Sequence, residues 1–214
     1  CYGRGGPLAV TDANVATAWG TSVDQLSTTA YASGTRGGQV KALTDAVQSV
    51  ITAKDGSVYG YADVYLEGER IAVRNQETNL GNITADANTY ALERALGSAA
   101  AQTYIVSLKN GGGIRAQIGT LSAPKADGTV DKLPPEGGVS QLDVENSLRF
   151  NNQLMSFETT PAGLKAILEH GVASLGSQGR FPQLSGVSFS YDPDLTAGSR
   201  ISDIALVDAG YRVN

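Results

Sequence analysis

Residues 103–115 read Thr-Tyr-Ile-Val-Ser-Leu-Lys-Asn-Gly-Gly-Gly-Ile-Arg. The first half of this stretch carries the β-branched, aromatic and aliphatic residues typical of a strand. The three glycines permit positive φ angles and close approach to the main chain, and their N–H groups can form an anion-binding concavity. Asn110 adds an amide and Arg115 a permanently charged guanidinium. The stretch predicts a strand that ends in a ligand-contacting loop; the alternative is a glycine-rich turn with a solvated arginine.

Composition limits the classes of function. The chain has 214 residues, 41% of them hydrophobic, and a net charge of −5, which suits a soluble globular domain but not a binder of nucleic-acid polymers. No apolar run approaches the roughly 18–20 residues of a membrane span. His170 is the only histidine and Cys1 the only cysteine, so neither a His-rich metal centre nor a disulfide scaffold is expected.

The pattern along the chain predicts an α/β (α+β) fold, with helices packed on a mixed β-sheet. Residues 1–37 are interpreted as a linker or peripheral segment with a short helix near residues 15–19, and residues 38–214 as the domain. Helices are predicted at 40–53, at 79–97 after a Thr78 or Asn79 cap, after Ser140 with Asp143 in its first turn, and at 162–173 after Pro161. Strands are predicted at 57–66, 155–159, 187–191 and 201–207, and exposed loops at 117–138 and 179–186.

Three groups of polar or aromatic residues stand out as candidates for one binding site. Arg70 and Arg74 are four apart, which on a continuous strand places both on one face. Asn110 and Arg115 flank the glycines, and Phe150 lies among asparagines. Arginine forks bind oxyanions or hydroxyls, and an exposed Phe ring offers a stacking face for a base. Solvated arginines and a core-packed Phe150 are the alternatives.

Four motifs in this order resemble the C-terminal domain of the 5′-nucleotidase family. They are Arg-Asn-Gln-Glu-Thr-Asn-Leu-Gly-Asn-Ile-Thr-Ala-Asp-Ala from residue 74, Asn-Gly-Gly-Gly-Ile-Arg at 110–115, Phe-Asn-Asn at 150–152 and Gly-Arg-Phe-Pro-Gln-Leu-Ser-Gly at 179–186. The family includes periplasmic UDP-sugar hydrolases, cyclic-nucleotide phosphodiesterases and the animal ecto-5′-nucleotidase. The resemblance covers about residues 38–214.

The resemblance implies a nucleoside-binding pocket. In it Arg70, Arg74 and Arg115 line the pocket, Asn110 contacts the ligand, and Phe150 supplies one face of a base sandwich. Gly112, Gly113 and Asn152 complete the implied substrate-binding set. The family pattern Pro-Phe-Gly-Asn is here Arg-Phe-Asn-Asn at 149–152, so the aromatic residue is kept while its neighbours differ.

The resemblance also implies a division of labour. The domain would bind a nucleotide or nucleoside, and a separate N-terminal metallophosphoesterase domain with two divalent metals (Zn, Mn or similar) would hydrolyse the phosphate ester. The catalytic motifs are absent from these 214 residues, so this polypeptide alone is expected to be inactive and to hold no cofactor. The family pattern continues into a Gly-Gly-Asp-Gly segment, which we expect to lie beyond residue 214.

The family further implies a periplasmic, extracellular or cell-surface location. Two alternatives remain open at this point. One is a non-catalytic surface or structural module that keeps the fold, and the other is a related sulfur-oxidation hydrolase.

Overall fold

The computed structural model describes residues 11–102, 104–121, 126, 132–133, 138–176 and 178–207. Much of the predicted loop at 117–138 therefore lies outside the described residues, as does Thr103, the first residue of the 103–115 stretch. The chain divides into two compact units, residues 1–54 and residues 55–214. In the described part of the chain, no helix is long and apolar enough to cross a bilayer.

The described residues contain six α-helices, eight strands and three short 3-10 segments. The helices are α1 (Asp12–Ala18), α2 (Leu26–Ala30), α3 (Arg36–Asp55), α4 (Asn79–Leu96), α5 (Gln141–Ser147) and α6 (Pro161–Val172). The strands are β1 (Val58–Gly60), β2 (Ser107–Asn110), β3 (Thr120–Leu121), β4 (Lys132–Leu133), β5 (Val139–Ser140), β6 (Pro182–Ser185), β7 (Val187–Tyr191) and β8 (Ile201–Leu206). The 3-10 segments are Ala72–Arg74, Gly97–Gln102 and Gly111–Gly113.

The first unit holds α1, α2 and nearly all of α3. The short helix predicted near residue 15 is α1, whose first turn is capped by the Thr11 hydroxyl accepting from the Asn14 N–H at 3.3 Å. The predicted helix at 40–53 is α3, and its apolar stripe (Val40, Leu43, Val47, Val50 and Ile51) is exposed. The predicted domain start at residue 38 falls inside α3, and that division of the chain stays a prediction.

The second unit packs helices on paired strands, which confirms the α/β class. The strands described form four antiparallel pairs, β1–β5, β2–β6, β3–β4 and β7–β8. In the β2–β6 pair, Lys109 lies opposite Gln183 and Asn110 opposite Pro182. Helix α4 packs on this pair, and α6 packs against β6 and β8. Residues 103–115 therefore contain the predicted strand, β2, which pairs with β6.

Two apolar cores lie in the second unit. One contains Leu168, Val172, Phe181, Leu184, Val187 and Ile201, and the other contains Leu66, Val73, Leu80, Ile114 and Ile118. Strand β6 lies between them, because Leu184 belongs to the first core while the neighbouring Gln183 points to the segment before α4. Neighbouring residues of a strand face opposite sides, so β6 contributes Leu184 to the first core and directs Gln183 to the segment before α4.

Helix starts in the second unit follow the predicted caps. The Thr78 hydroxyl accepts from the Gly81 N–H at 3.1 Å, so Thr78 rather than Asn79 caps α4. Ser140 and Asp143 form a reciprocal capping box at α5. Pro161 is the first residue of α6, where its missing N–H costs nothing. Strands β7 and β8 confirm the two C-terminal strand predictions.

Three predicted segments are wrong in the structure. The strand at 57–66 is reduced to β1 and a single bridge between Leu66 and Ile118, because β5 offers β1 only two residues. The strand predicted at 155–159 is irregular chain with exposed apolar side chains, Met155 being 84% exposed. The loop predicted at 179–186 contains a buried strand, β6.

Candidate functional site

The segment that carries Arg70 and Arg74 is a tight turn, and not the continuous strand on which a spacing of four would place both on one face. The Val73 N–H donates to the Glu69 carbonyl at 3.1 Å, and the Arg74 N–H donates to the Ile71 carbonyl at 3.3 Å. These bonds between near neighbours close a turn that ends in the 3-10 segment Ala72–Arg74. A spacing of four residues also brings side chains together on a helical turn, so the two arginines lie close to each other here as well.

The glycine loop, Gly111–Gly113, follows β2 directly, and close packing against neighbouring backbone determines its shape. The Gly111 N–H donates to the Phe181 carbonyl at 2.7 Å, and the Gly112 N–H donates to the Gly179 carbonyl at 2.9 Å. A Cβ on Gly111 would lie 1.7 Å from the Val73 carbonyl oxygen, and one on Gly112 would lie 2.6 Å from the Gly179 Cα. The predicted close approach to the main chain is confirmed, and the close neighbours belong to the protein itself.

The predicted anion-binding concavity is wrong for Gly111 and Gly112. Both N–H groups are bonded to carbonyls of the 179–181 segment and so cannot hold an anion in this arrangement. Neither residue, nor Gly113, is among the glycines with positive φ. The loop therefore carries the side chains of Asn110 and Arg115 instead of forming an anion site of its own.

Arg115 and Phe150 are brought together by the end of α5. The Arg115 N–H donates to the Ser147 carbonyl at 2.8 Å, and the Ser147 hydroxyl donates to the Ala116 carbonyl at 2.8 Å. The Arg115 guanidinium donates to the Gly112 carbonyl at 3.3 Å, and its central carbon lies 5.9 Å from the centre of the Phe150 ring. The Phe150 side chain is 52% exposed, so the alternative of core packing is wrong.

Asn110 and Asn152 differ in how they are held. The Asn110 side-chain amide donates to the Gly179 carbonyl at 3.3 Å, which ties it to the same segment that pins Gly112. Asn152 lies two residues beyond Phe150 in irregular chain, and its side chain is exposed. The structure thus links Asn110, Gly112 and Arg115 by hydrogen bonds, with Phe150 in ring contact with Arg115, and leaves Asn152 exposed two residues beyond Phe150.

The three arginines form one cationic cluster. Arg74 is only 6% exposed, and its pKa lies below the usual value first because of burial and then because of the charges of Arg70 and Arg115. A guanidinium keeps its proton even so, because its ordinary pKa is above 12. Three arginine charges that act on one another, one of them over a half-exposed aromatic ring, suit a ligand with a planar face and several oxygen atoms.

Sequence reasoning missed one residue at this site, Gln183. Its fully buried side-chain amide donates to the carbonyls of Val73 and Gln76, at 3.1 and 2.8 Å, and so touches both sides of Arg74. The available signal was its position between Pro182 and Leu184 in the family motif at 179–186. Its partners lie more than a hundred residues earlier, so no local pattern could identify them.

A separate groove lies beside α6 in the second unit. It has a volume of about 520 Å³, and its lining residues are Ala162, Lys165, Ala166, Glu169, His170, Ala173, Ala197 and Gly198. The groove contains none of the predicted site residues, and mostly small side chains line it. The arginine cluster is the better candidate site, because its charged and aromatic groups converge whereas the groove is shallow.

No metal site is formed by the described residues. No group of three or more His, Cys, Asp or Glu side chains in these parts of the chain could hold a metal ion. The acidic groups near the arginine cluster, Glu67 and Glu69, border the buried Tyr65 instead, where burial and then their charges raise the pKa of that phenol to about 12.

Comparison with known proteins agrees with this architecture. Residues 58–214 match the family model described as the 5′-nucleotidase C-terminal domain. The trifunctional nucleotide phosphoesterase protein YfkN of Bacillus subtilis (strain 168) is 33% identical over 148 residues, which cover 69% of this chain and 9% of that protein. The snake venom 5′-nucleotidase of Crotalus adamanteus is 28% identical over 155 residues, covering 72% of this chain and 24% of the relative.

A solved structure shares the fold. The crystal structure of a 5′-nucleotidase precursor from Thermus thermophilus matches with a TM-score of 0.62 and 32% identity, over 80% of this chain and 29% of that one. The chain thus spans less than a third of each of these relatives. Since the family match extends over well more than half of the residues, the chain belongs to the 5′-nucleotidase C-terminal domain family.

Proposed function

We propose that this chain is the nucleotide- or nucleoside-binding specificity domain of a secreted 5′-nucleotidase-like metallophosphohydrolase. The proposal rests on Arg115, held over the half-exposed ring of Phe150, together with Arg74, whose pKa the charges of Arg70 and Arg115 lower. Arginine forks bind oxygen-rich groups, and a base stacks on a flat aromatic face. A nucleoside combines both features in one molecule.

In this proposal each group has a separate task. Arg115 covers part of one face of Phe150, and the exposed remainder of the ring takes the base. Arg74 and Arg70 reach the oxygen atoms of the sugar or its substituents, and Asn110 offers an amide to a hydroxyl or a base edge. Asn152, Gly112 and Gly113 complete the wall of the pocket. The domain fixes the position of the ligand, which is a contribution of orientation to catalysis.

The chemical step belongs, in this proposal, to a separate N-terminal metallophosphoesterase domain. That domain is expected to hold two divalent ions, Zn, Mn or similar, whose chemistry is the activation of water and the stabilisation of phosphoryl charge. The residues described here contribute binding and orientation only. We propose a periplasmic, extracellular or cell-surface location, which a relative named as a snake venom protein supports.

The test is binding of adenosine and AMP to the intact protein by calorimetry. Replacing Phe150 by Ala removes the stacking face, worth about 1–3 kcal/mol, and should raise the Kd roughly 5- to 150-fold. Arg74→Ala and Arg115→Ala should each raise the Kd, or the KM for AMP hydrolysis, severalfold. Unchanged constants in all three variants would rule the site out.

The chain supplies a matched control for the arginine and aromatic pair. The guanidinium of Arg94 lies 5.7 Å from the centre of the Tyr90 ring on α4, and the Tyr90 side chain is exposed. Arg94→Ala and Tyr90→Ala remove the same kinds of group at another place. They should leave the Kd for adenosine within twofold of the wild-type value.

A further inference from the structure

Gln183 occupies a position that nothing in the proposed function explains. It lies in β6, between the two apolar cores, and its side chain is 0% exposed. A neutral amide buried this deeply is tolerated only when its donors and acceptor are bonded.

The amide of Gln183 is fully hydrogen-bonded to one short segment. Its nitrogen donates to the Val73 carbonyl at 3.1 Å and the Gln76 carbonyl at 2.8 Å. Its oxygen accepts from the Thr78 N–H at 3.0 Å and, at a longer 3.5 Å, from the Thr78 hydroxyl. Both donors and both lone pairs are thus used on residues 73–78, which contain Arg74.

The surrounding residues leave room for this arrangement. A Cβ on Gly81 would lie 2.0 Å from the Gln183 amide oxygen, so a larger residue there would displace the amide. The Val73 carbonyl also lies against Gly111, at the start of the glycine loop. A further bond, from the Tyr191 hydroxyl to the Asn75 carbonyl at 2.8 Å, holds the outer side of the same segment.

We propose that Gln183 is a positioning residue that fixes the backbone on both sides of Arg74 and so sets the place of its guanidinium in the binding site. This inference rests on the proposed function for its effect on ligand affinity. Only a side chain with two donors and an acceptor can satisfy two carbonyls and an N–H at once. An apolar residue of the same size would leave those three backbone groups unbonded and free to shift.

The first measurement is the Kd of the intact protein for adenosine. Gln183→Met keeps the volume and removes the hydrogen bonds, and we expect roughly tenfold weaker binding, because small displacements of a positioned group cost orders of magnitude. Val172→Ala is the control for general loss of stability, because it removes methyl groups from the core that contains Leu168 and Leu184. It should leave the Kd within twofold.

A double-mutant cycle separates positioning from general loosening. In an Arg74→Ala background, Gln183→Met should weaken adenosine binding by less than twofold, because the group that it positions is gone. An equal loss in both backgrounds overturns the inference. If Gln183→Met does not fold, Gln183→Asn replaces it, since the shorter side chain keeps a neutral amide but cannot reach both carbonyls and the Thr78 N–H at once.

A second readout does not depend on the ligand. The side-chain Nε–H resonance of Arg74, assigned by its loss in Arg74→Lys, should shift or broaden in Gln183→Met. It should be unchanged in Gln48→Met, which alters an exposed glutamine of α3. An unmoved resonance in Gln183→Met overturns the inference. If the wild-type protein does not bind adenosine, the proposed function fails, and this resonance alone decides the role of Gln183.

Discussion

Gly111 packs directly against the Val73 carbonyl, next to Arg74, and only a hydrogen fits between its Cα and that oxygen. A Cβ there would lie 1.7 Å from that oxygen, and backbone cannot move aside as a flexible side chain can. We expect Gly111→Ala to lower the free energy of unfolding by about 2–3 kcal/mol and to weaken adenosine binding. Urea unfolding and calorimetry measure the two effects.

Gly60 is the matched control for this substitution. No atom lies within 4 Å of a Cβ built on Gly60, and its φ is not positive. Gly60→Ala should therefore change stability by less than about 0.5 kcal/mol, as surface substitutions usually do. Equal effects of the two substitutions would show that the close packing of Gly111 against Val73 has no energetic weight.

Tyr65 predicts a specific loss of stability in alkaline solution. Burial, followed by the charges of Glu67 and Glu69, raises the pKa of its phenol from 10.0 to about 12. The folded state therefore keeps this proton at pH values where the unfolded state loses it. The resulting stability is fully present below pH 10 and is lost as the pH rises from 10 to 12, by up to about 3 kcal/mol.

Tyr65→Phe should remove this alkaline decline. Its free energy of unfolding should stay flatter between pH 10 and 12 than that of the wild type, whatever the offset at pH 8. Tyr61→Phe, at an exposed tyrosine, should keep the wild-type slope. A wild-type slope in Tyr65→Phe would contradict the assignment of the decline to this phenol.

At the scale of single residues, chemistry made some site members predictable and hid others. Arg74, Arg115 and Phe150 carry groups that bind ligands, and their order along the chain matched a family pattern. Gln183 carries the same amide as many surface glutamines, and its significance comes from partners 105 to 110 residues away. Gln183 lies within the family motif at 179–186, but contacts this far apart in sequence give it no local pattern that marks its role.

Among the elements, α6 and β8 are joined by one buried carboxylate, Glu169. Its two oxygens accept from the N–H groups of Arg200 and Ile201 at 3.0 and 2.9 Å. Burial raises its pKa, but these two N–H groups and the charges of Lys165 and Arg200 lower it more, so the net pKa is below 4.5. The carboxylate therefore stabilises the fold above pH 4.5, and this contribution is lost as the pH falls through the lowered pKa.

Glu169→Gln should test this connection between α6 and β8. At pH 7 it should lower the free energy of unfolding, because hydrogen bonds to a charged acceptor are stronger than those to an amide. The difference from the wild type should shrink as the pH falls below 4.5. Urea unfolding at several pH values measures it, with Glu158→Gln at an exposed glutamate as the control. A pH-independent difference would exclude the ionised carboxylate as its cause.

Helix positions were more predictable than strand positions for a physical reason. Caps such as Thr78, Ser140 and Thr160 lie within three residues of the N–H groups that they satisfy, so the sequence displays the whole interaction. A strand needs a partner from elsewhere in the chain. Residues 155–159 have strand-forming side chains without a strand partner among the described residues, whereas β6, flanked by turn residues, is paired with β2.

At the scale of the whole molecule, the two apolar cores supply the buried apolar surface that stabilises the second unit. Every member of both cores lies between residues 66 and 201, within the second compact unit. The residues of the candidate site, from Arg70 to Gln183, lie in the same unit. The family match from residue 58 onward covers the same part of the chain, so fold, site and family membership coincide there.

This coincidence predicts that residues 55–214 fold without residues 1–54. A fragment that begins at residue 55 keeps both cores and the β2–β6 pair between them, so it should unfold in one cooperative transition in urea. Far-UV circular dichroism should lose the contribution of α1, α2 and α3, while the Nε–H resonance of Arg74 keeps its position. Gln183→Met in the fragment should shift that resonance as it does in the longer chain. A broad, non-cooperative transition would mean that the cores between residues 66 and 201 are not sufficient to specify the fold.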